Sequence, residues 1–102
     1  EAAQALARRM ISEGGPDTAT RATRGFRLVL ARQPAGPEVD RLVRLYDEAA
    51  ADYRADPAAA MLMATDPLGE PPADLATDMA DLAAWTVVAN VILNLDETFM
   101  CP

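Results

Sequence analysis

Four polar side chains near the end of the chain recur at one-turn spacing and are the first candidates for a binding site. Thr86, Asn90, Asn94 and Glu97 form a narrow stripe on an otherwise apolar segment, since residues three or four apart share a helix face. Their hydroxyl, amide and carboxylate groups could hydrogen-bond to a partner or ligand. Alternatively, the stripe is the solvent edge of the helix, or its amides bond neighbouring loop backbone.

Three arginines form a second candidate site. Arg21, Arg24 and Arg27 lie along one edge of the second predicted helix, where their guanidinium groups could clamp a carboxylate or a phosphate. The alternative is a solvated basic face that pairs with the acidic half of the chain. All nine basic residues are arginines between Arg8 and Arg54, whereas eight carboxylates and no cation occur from residue 55 onward.

Three aspartates have the spacing of a shared helical face. The carboxylates of Asp74, Asp78 and Asp81 could in principle ligate a hard cation such as calcium. These residues also fall in the first turns of the predicted last helix, where acidic side chains interact favourably with the helix dipole. The second interpretation requires no metal, and we expect no metal site here.

The residue types that most active sites need are scarce. The chain has no histidine and one cysteine, Cys101, so it cannot build an internal disulfide, a Cys/His metal site or a Cys-x-x-Cys-His haem attachment. Asp96 and Glu97 are adjacent, and adjacent side chains on a helix point about 100° apart, so they do not converge on one substrate. No nucleophile-and-base pair or glycine-rich phosphate loop occurs. We therefore expect no catalytic residue and no cofactor held by this chain.

Charge and composition exclude two kinds of partner and suggest a third. A net charge of −7 argues against nucleic acid, because a duplex binder needs a basic face. The longest largely apolar run, residues 82–95, is 14 residues long and shorter than the roughly 20 of a membrane span. Hydrophobic residues make up 51% of the chain but aromatic residues only 5%, which predicts a thin core. We therefore expect another protein chain, or the rest of a longer polypeptide, to complete some of the buried surface.

The periodicity predicts an all-α fold, a small bundle of four to five helices. Predicted helices cover about residues 2–13, from Asp17 or Thr18 to about residue 32, 37–55, 57–64 and 81–100, with a proline-rich loop at about 65–73. In the fourth helix Met61, Leu62 and Met63 are expected to fill gaps in the core. In the last helix one face is expected to pack in the core, namely Leu82, Trp85, Val88, Ile92, Leu95 and Phe99. Residues 1–102 are expected to be a single helical domain, either the C-terminal fragment of a larger polypeptide or a small subunit.

Two stretches of the sequence resemble a known family. They are Gly25-Phe-Arg-Leu-Val-Leu-Ala-Arg-Gln-Pro34 with the following Pro37-Glu-Val-Asp-Arg-Leu42, and residues 82–97 with their Ala-Trp-Thr and Leu-Asn-Leu-Asp-Glu segments. This wording resembles the C-terminal part of a planctomycete-type domain of unknown function found in large exported proteins with c-type cytochrome regions. The resemblance implies an exported protein, periplasmic or on the cell surface, whose haem would lie in a partner or a missing region. It implies no catalytic residue. A weaker resemblance to helical repeats of exported surface proteins implies a scaffold or adhesion role.

Three functions remain open at this point. A helical interaction domain docked on a larger, cytochrome-associated polypeptide predicts an exposed apolar patch and a partner that co-purifies. A self-standing scaffold or surface module predicts a stable monomer without such a patch. A part of an enzyme whose site lies mostly outside this chain predicts activity in the full assembly that falls when Asn90, Asn94 or Glu97 is replaced. We favour the interaction domain.

Overall fold

The fold is a bundle of α-helices, as the sequence predicts. The computed structural model describes residues 2–30, 32–66, 68–73, 75 and 77–100, and for residues 96–100 it describes the backbone alone. Within these ranges there are five helices and no strand. The helices are α1 (Ala2–Glu13), α2 (Thr18–Val29), α3 (Gly36–Arg54), α4 (Pro57–Thr65) and α5 (Met79–Met100). The all-α prediction is therefore confirmed.

The starts of α2 and α4 follow from local hydrogen bonding by aspartate side chains. Asp17 Oδ2 accepts a hydrogen bond from Thr20 N at 3.2 Å, and Asp56 Oδ1 accepts one from Ala59 N at 3.2 Å. Each bond satisfies an amide that has no partner within its own helix. Pro57 adds a residue whose fixed φ suits the first helical turn.

The start of α5 differs from the sequence-based expectation. Asp78 precedes the helix as its cap, because its Oδ1 accepts a hydrogen bond from Asp81 N at 2.8 Å. The helix itself begins at Met79. The connection after α4 therefore extends to residue 78, five residues past the predicted end of the proline-rich loop.

α5 is the central helix of the bundle and contacts each of the other four. Leu82, Trp85, Val88 and Ile92 are completely or almost completely buried, as their spacing predicts. Leu95, at the end of the same face, is half-buried, and the side chain of Phe99 lies outside the described residues. None of the described helices is long and apolar enough to cross a bilayer.

Candidate functional site

The outer side of α4 is a surface of large apolar side chains. Met61 is 56% exposed, Leu62 63% and Met63 38%, so the prediction that they fill gaps in the core is wrong. The reason is that Ala60 and Ala64, one helical turn apart, are the buried residues of α4. These small side chains let α4 approach α5 closely, and the three longer ones are left to face outward. We call Met61, Leu62 and Met63 the α4 face.

Two side chains of α1 fix the position of α4. Gln4, which is 3% exposed, donates from Nε2 to Met63 O at 2.8 Å and to Asp66 O at 2.6 Å. Its Oε1 accepts a hydrogen bond from Leu68 N at 3.2 Å. Arg8 adds a bond from its guanidinium group to Ala64 O at 3.3 Å. The end of α4 is therefore anchored to α1, and the α4 face has a defined orientation.

The ends of the α4 face are acidic. Asp56 caps the first turn of α4 and Asp66 follows its last residue, and both are exposed. Glu70, also exposed, lies a few residues further along the chain. Arg8 of α1 lies beside this helix, and its hydrogen bonds go to main-chain oxygens. The apolar side chains of the α4 face are therefore bordered by carboxylates.

The predicted polar stripe on α5 is only partly accessible. Thr86 is 4% exposed, and its Oγ1 donates to Leu82 O within the same helix at 2.8 Å. Its burial costs little because the hydroxyl already has an acceptor, so Thr86 has to be removed from the predicted partner-binding stripe. Asn90 and Asn94 are exposed, and the side chain of Glu97 lies outside the described residues. The accessible, described part of the stripe is therefore the Asn90 and Asn94 pair.

The predicted arginine clamp is divided among different partners. Arg21 is only 13% exposed, donates from Nε to Gly15 O at 2.6 Å and lies 3.6 Å from Asp81 Oδ2. Arg24 is paired with Glu13 at 2.6 Å. Arg27 is exposed on the last turn of α2. The three guanidinium groups therefore do not converge on one anion, because two of them are already bound within the fold.

Glu13 lies between two arginines on the surface. Hydrogen bonds from Arg9, at 2.8 Å, and from Arg24, at 2.6 Å, lower the pKa of its carboxyl group to about 2. The cluster links the end of α1 to α2. Exposed ion pairs of this kind contribute little to the free energy of unfolding at neutral pH.

Asp81 is the centre of a polar cluster between α2, α3 and α5. Its carboxylate accepts hydrogen bonds from the Tyr46 hydroxyl and from Thr77 Oγ1, the latter at 2.7 Å. The Tyr46 ring stacks on Trp85 with centroids 4.4 Å apart. Burial of the ring, together with the Asp81 carboxylate, raises the pKa of Tyr46 to about 12. The oxygens of Asp81 are thus used to join three helices.

The aspartates of the predicted shared helical face have separate roles in the structure. Asp78 caps α5 and Asp81 binds Tyr46, whereas Asp74 lies outside the described residues. Among the side chains that the structure describes, no three acidic or cysteine groups come together in an arrangement that could hold a metal ion.

A second surface feature is a groove between α2, α3 and α5. It encloses about 350 Å³. Its apolar floor is formed by Phe26, Leu42, Leu45, Val91 and Leu95, and its charged rim by Glu38, Arg41, Arg44 and Glu48. We call this the α3 groove. The sequence-based predictions do not include this groove. The signal that could have indicated it is the recurrence of charged residues and leucines at helical spacing from Glu38 to Glu48.

The rim of the α3 groove is unevenly neutralised. Arg32 donates to both oxygens of Glu38, at 2.8 and 2.9 Å, and Ala35 N donates to the same carboxylate at 2.8 Å. The bond from Arg32, followed by that from Ala35 N, lowers the pKa of Glu38 to about 2. Arg41 and Arg44 are exposed, and neither makes an ion pair with any residue that the structure describes. The groove therefore presents two exposed guanidinium groups above an apolar floor.

Comparison of the chain with protein-family models, with curated proteins and with solved structures found no match.

Proposed function

We propose that this chain is a non-catalytic helical interaction domain that docks on another protein through the α4 face. The observation that carries the proposal is the exposure of Met61, Leu62 and Met63 side by side on one short helix. α4 contains no charged residue, and a helix that is apolar on all sides is normally buried. Adjacent residues point about 100° apart on a helix, so the three side chains cover roughly half of its circumference, and such a concentration of exposed apolar side chains is typical of an interaction site.

The charges around the α4 face favour a protein partner over a lipid surface. Helices that lie on membranes combine an apolar face with Lys and Arg, which attract anionic lipids. Here Asp56 and Asp66 flank the helix, and the chain has no cation from residue 55 onward. A negatively charged membrane would be repelled. The partner that fits is a protein surface with an apolar centre and basic residues around it, and the two methionines can adapt to its shape.

The proposal also includes the larger assembly that the sequence resemblance implies. On that basis the domain belongs to an exported, cytochrome-associated polypeptide or complex, and the haem is carried by the partner or by another region of the same polypeptide. The role of this domain is then to hold the assembly together. No catalytic residue is proposed for it.

The test compares Leu62→Glu with Ala51→Glu in the tagged protein, isolated from its source organism as an intact assembly. Both positions are exposed on helices and both changes add one carboxylate, but only the first alters the α4 face. Docking that buries Leu62 contributes about 2 kcal/mol, so we expect at least a tenfold loss of partner affinity in Leu62→Glu. Ala51→Glu should bind as the unchanged protein does. A Soret absorption band in the isolated assembly would support the cytochrome association.

Two results would contradict the proposal. The first is a partner that Leu62→Glu retains with unchanged affinity, which would put the interface elsewhere. The second is an isolated chain whose mass by light scattering doubles with concentration and returns to the monomer value in Leu62→Glu. That result would make the α4 face an interface between copies of this chain.

A further inference from the structure

The α3 groove is formed by different helices from the α4 face and is a separate feature of the molecule. Its floor combines one aromatic and four aliphatic side chains from three helices. A volume of about 350 Å³ lies at the lower end of the range of small-molecule sites. At about 30 Å³ per water-sized group, the groove can hold roughly a dozen such groups. It is therefore large enough for a small ligand with an apolar body.

The rim of the groove defines the charge of that ligand. Two arginines, Arg41 and Arg44, and two carboxylates, those of Glu38 and Glu48, line the rim. Glu38 is paired with Arg32, which lies outside the lining, so Glu48 alone opposes the two rim arginines and one positive charge remains, in a chain whose net charge is −7. This local excess matches a single negative charge and is too small for a phosphate dianion. A guanidinium group binds a carboxylate through two parallel hydrogen bonds.

Arg41 and Arg44 are also placed to act together. Residues three apart on a helix are neighbours on its surface, with Cβ atoms about 5–6 Å apart. The carboxylate of Glu38 interacts electrostatically with Arg41, but its hydrogen bonds are made with Arg32 and with Ala35 N. A ligand carboxylate would supply a hydrogen-bond acceptor between the two guanidinium groups of Arg41 and Arg44.

We infer that the α3 groove binds an amphipathic monocarboxylate, with its apolar chain on the floor of the groove and its carboxylate between Arg41 and Arg44. A straight-chain fatty acid of about ten carbons has the size and polarity that the groove requires. This inference does not depend on docking through the α4 face.

The experiment is calorimetric titration of the purified chain with hexanoate, octanoate, decanoate and the neutral analogue decanol. Each added methylene buried on the floor should raise affinity about fourfold. Decanoate should bind about tenfold to a hundredfold more tightly than decanol, which lacks the charge that the arginines recognise. The difference between the two ligands should decrease at high salt, because the arginines are exposed.

Two variants separate the charge from the apolar floor, and a third is the matched control. Arg41→Gln combined with Arg44→Gln should lower the affinity for decanoate to that for decanol and leave decanol binding unchanged. Val91→Phe should fill the groove and abolish binding of both ligands. Arg27→Gln removes an exposed arginine of α2 outside the groove and should change neither affinity. Circular dichroism of each variant verifies that the helices are retained.

Several results would overturn the inference. No binding of decanoate to the unchanged chain would exclude the ligand class. Equal affinity for decanoate and decanol would show that the rim does not recognise the carboxylate. The same conclusion would follow if Arg27→Gln lost as much decanoate affinity as the double variant of Arg41 and Arg44. Binding that survives Val91→Phe would locate the ligand elsewhere. The Leu62→Glu variant should still bind decanoate, so failure of α4 docking and failure of this inference can be distinguished.

Discussion

Replacement of Gln4 by methionine tests how the α4 face is held in place. The methionine side chain has nearly the same length and shape but cannot donate to Met63 O and Asp66 O or accept from Leu68 N. Gln4 is 3% exposed, whereas its three partners lie on Met63, Asp66 and Leu68, which are exposed or half-buried, so water can replace part of what is lost. The change therefore removes three hydrogen bonds while leaving the packing of α1 almost intact.

The expected magnitude follows from those three bonds. A buried hydrogen bond contributes about 0.5–1.5 kcal/mol net, and a buried group left unsatisfied costs about 1–3 kcal/mol. The thioether gains some transfer free energy in return. We expect the free energy of unfolding to fall by about 2–4 kcal/mol, a large part of the stability of a domain of this size. The melting temperature should fall by roughly 10–20 °C.

The assay is urea unfolding followed by the fluorescence of Trp85, which is buried in the folded chain. Gln33→Met is the matched control, because Gln33 is exposed between α2 and α3. Its free energy of unfolding should remain within about 0.5 kcal/mol of the original value. Hydrogen exchange in α4 should accelerate in Gln4→Met more than exchange in α3. A loss below 0.5 kcal/mol in Gln4→Met, with α4 exchange unchanged, would refute the view that Gln4 anchors α4.

Three further changes have defined outcomes. Gly14→Ala should lower the free energy of unfolding by about 2–3 kcal/mol, because the added Cβ would lie 2.5 Å from a main-chain oxygen of α1. Gly36→Ala is the control, since a Cβ there would have no neighbouring atom within 4 Å. It should cost less than 1 kcal/mol in the same urea titration. Tyr46, with its pKa raised from 10.0 to about 12, favours the folded state below pH 10, and this contribution should disappear as the pH rises from 10 to 12. In Tyr53→Phe, where Tyr46 is the one tyrosine left, ultraviolet titration should show tyrosinate forming near pH 12 in the folded chain and near pH 10 in urea. Glu13, with its pKa lowered from 4.5 to about 2, favours the folded state above pH 4.5. Because the ion pair is exposed and screened by solvent, only a small part of the free energy of unfolding should be lost between pH 4.5 and 2, and less in Glu13→Gln.

The boundaries of the helices were largely predictable because their signals are local. Asp17 and Asp56 cap the helices that follow them, and Pro57 begins α4. Asp78 was expected in the first turns of the last helix and is instead the cap before Met79, because acidic residues are favourable both in a first helical turn and in the cap before it. Sequence alone does not distinguish these positions at Asp78.

The orientation of α4 could not be predicted because its sequence does not distinguish a core-facing side from a solvent-facing side. Residues Pro57–Thr65 are apolar on every side except for one threonine, so periodicity does not mark the side that faces solvent. In the structure, the size of the side chains determines which side of α4 is buried. The two alanines pack closely on α5, and Met61, Leu62 and Met63 remain outside.

Two of the predicted binding residues, Thr86 and Arg21, are bound within the fold, through contacts that the sequence does not show. Thr86 satisfies its own hydroxyl within the helix, and Arg21 reaches Asp81 across the bundle, which no spacing along the chain reveals. The α3 groove depends on the relative placement of Phe26, Leu42 and Val91 on three helices. Such a placement is decided by tertiary packing, so only the structure could show it.

The position of α5 also determines the order in which this fold can assemble. α5 packs against α1, α2, α3 and α4, and it follows all of them along the chain. During translation the first four helices therefore leave the ribosome before their common packing partner has been made. The buried residues of α1, Leu6 and Met10 among them, lack their contacts with α5 until Leu82–Ile92 emerges. Folding of this domain is consequently completed only after synthesis of its last helix.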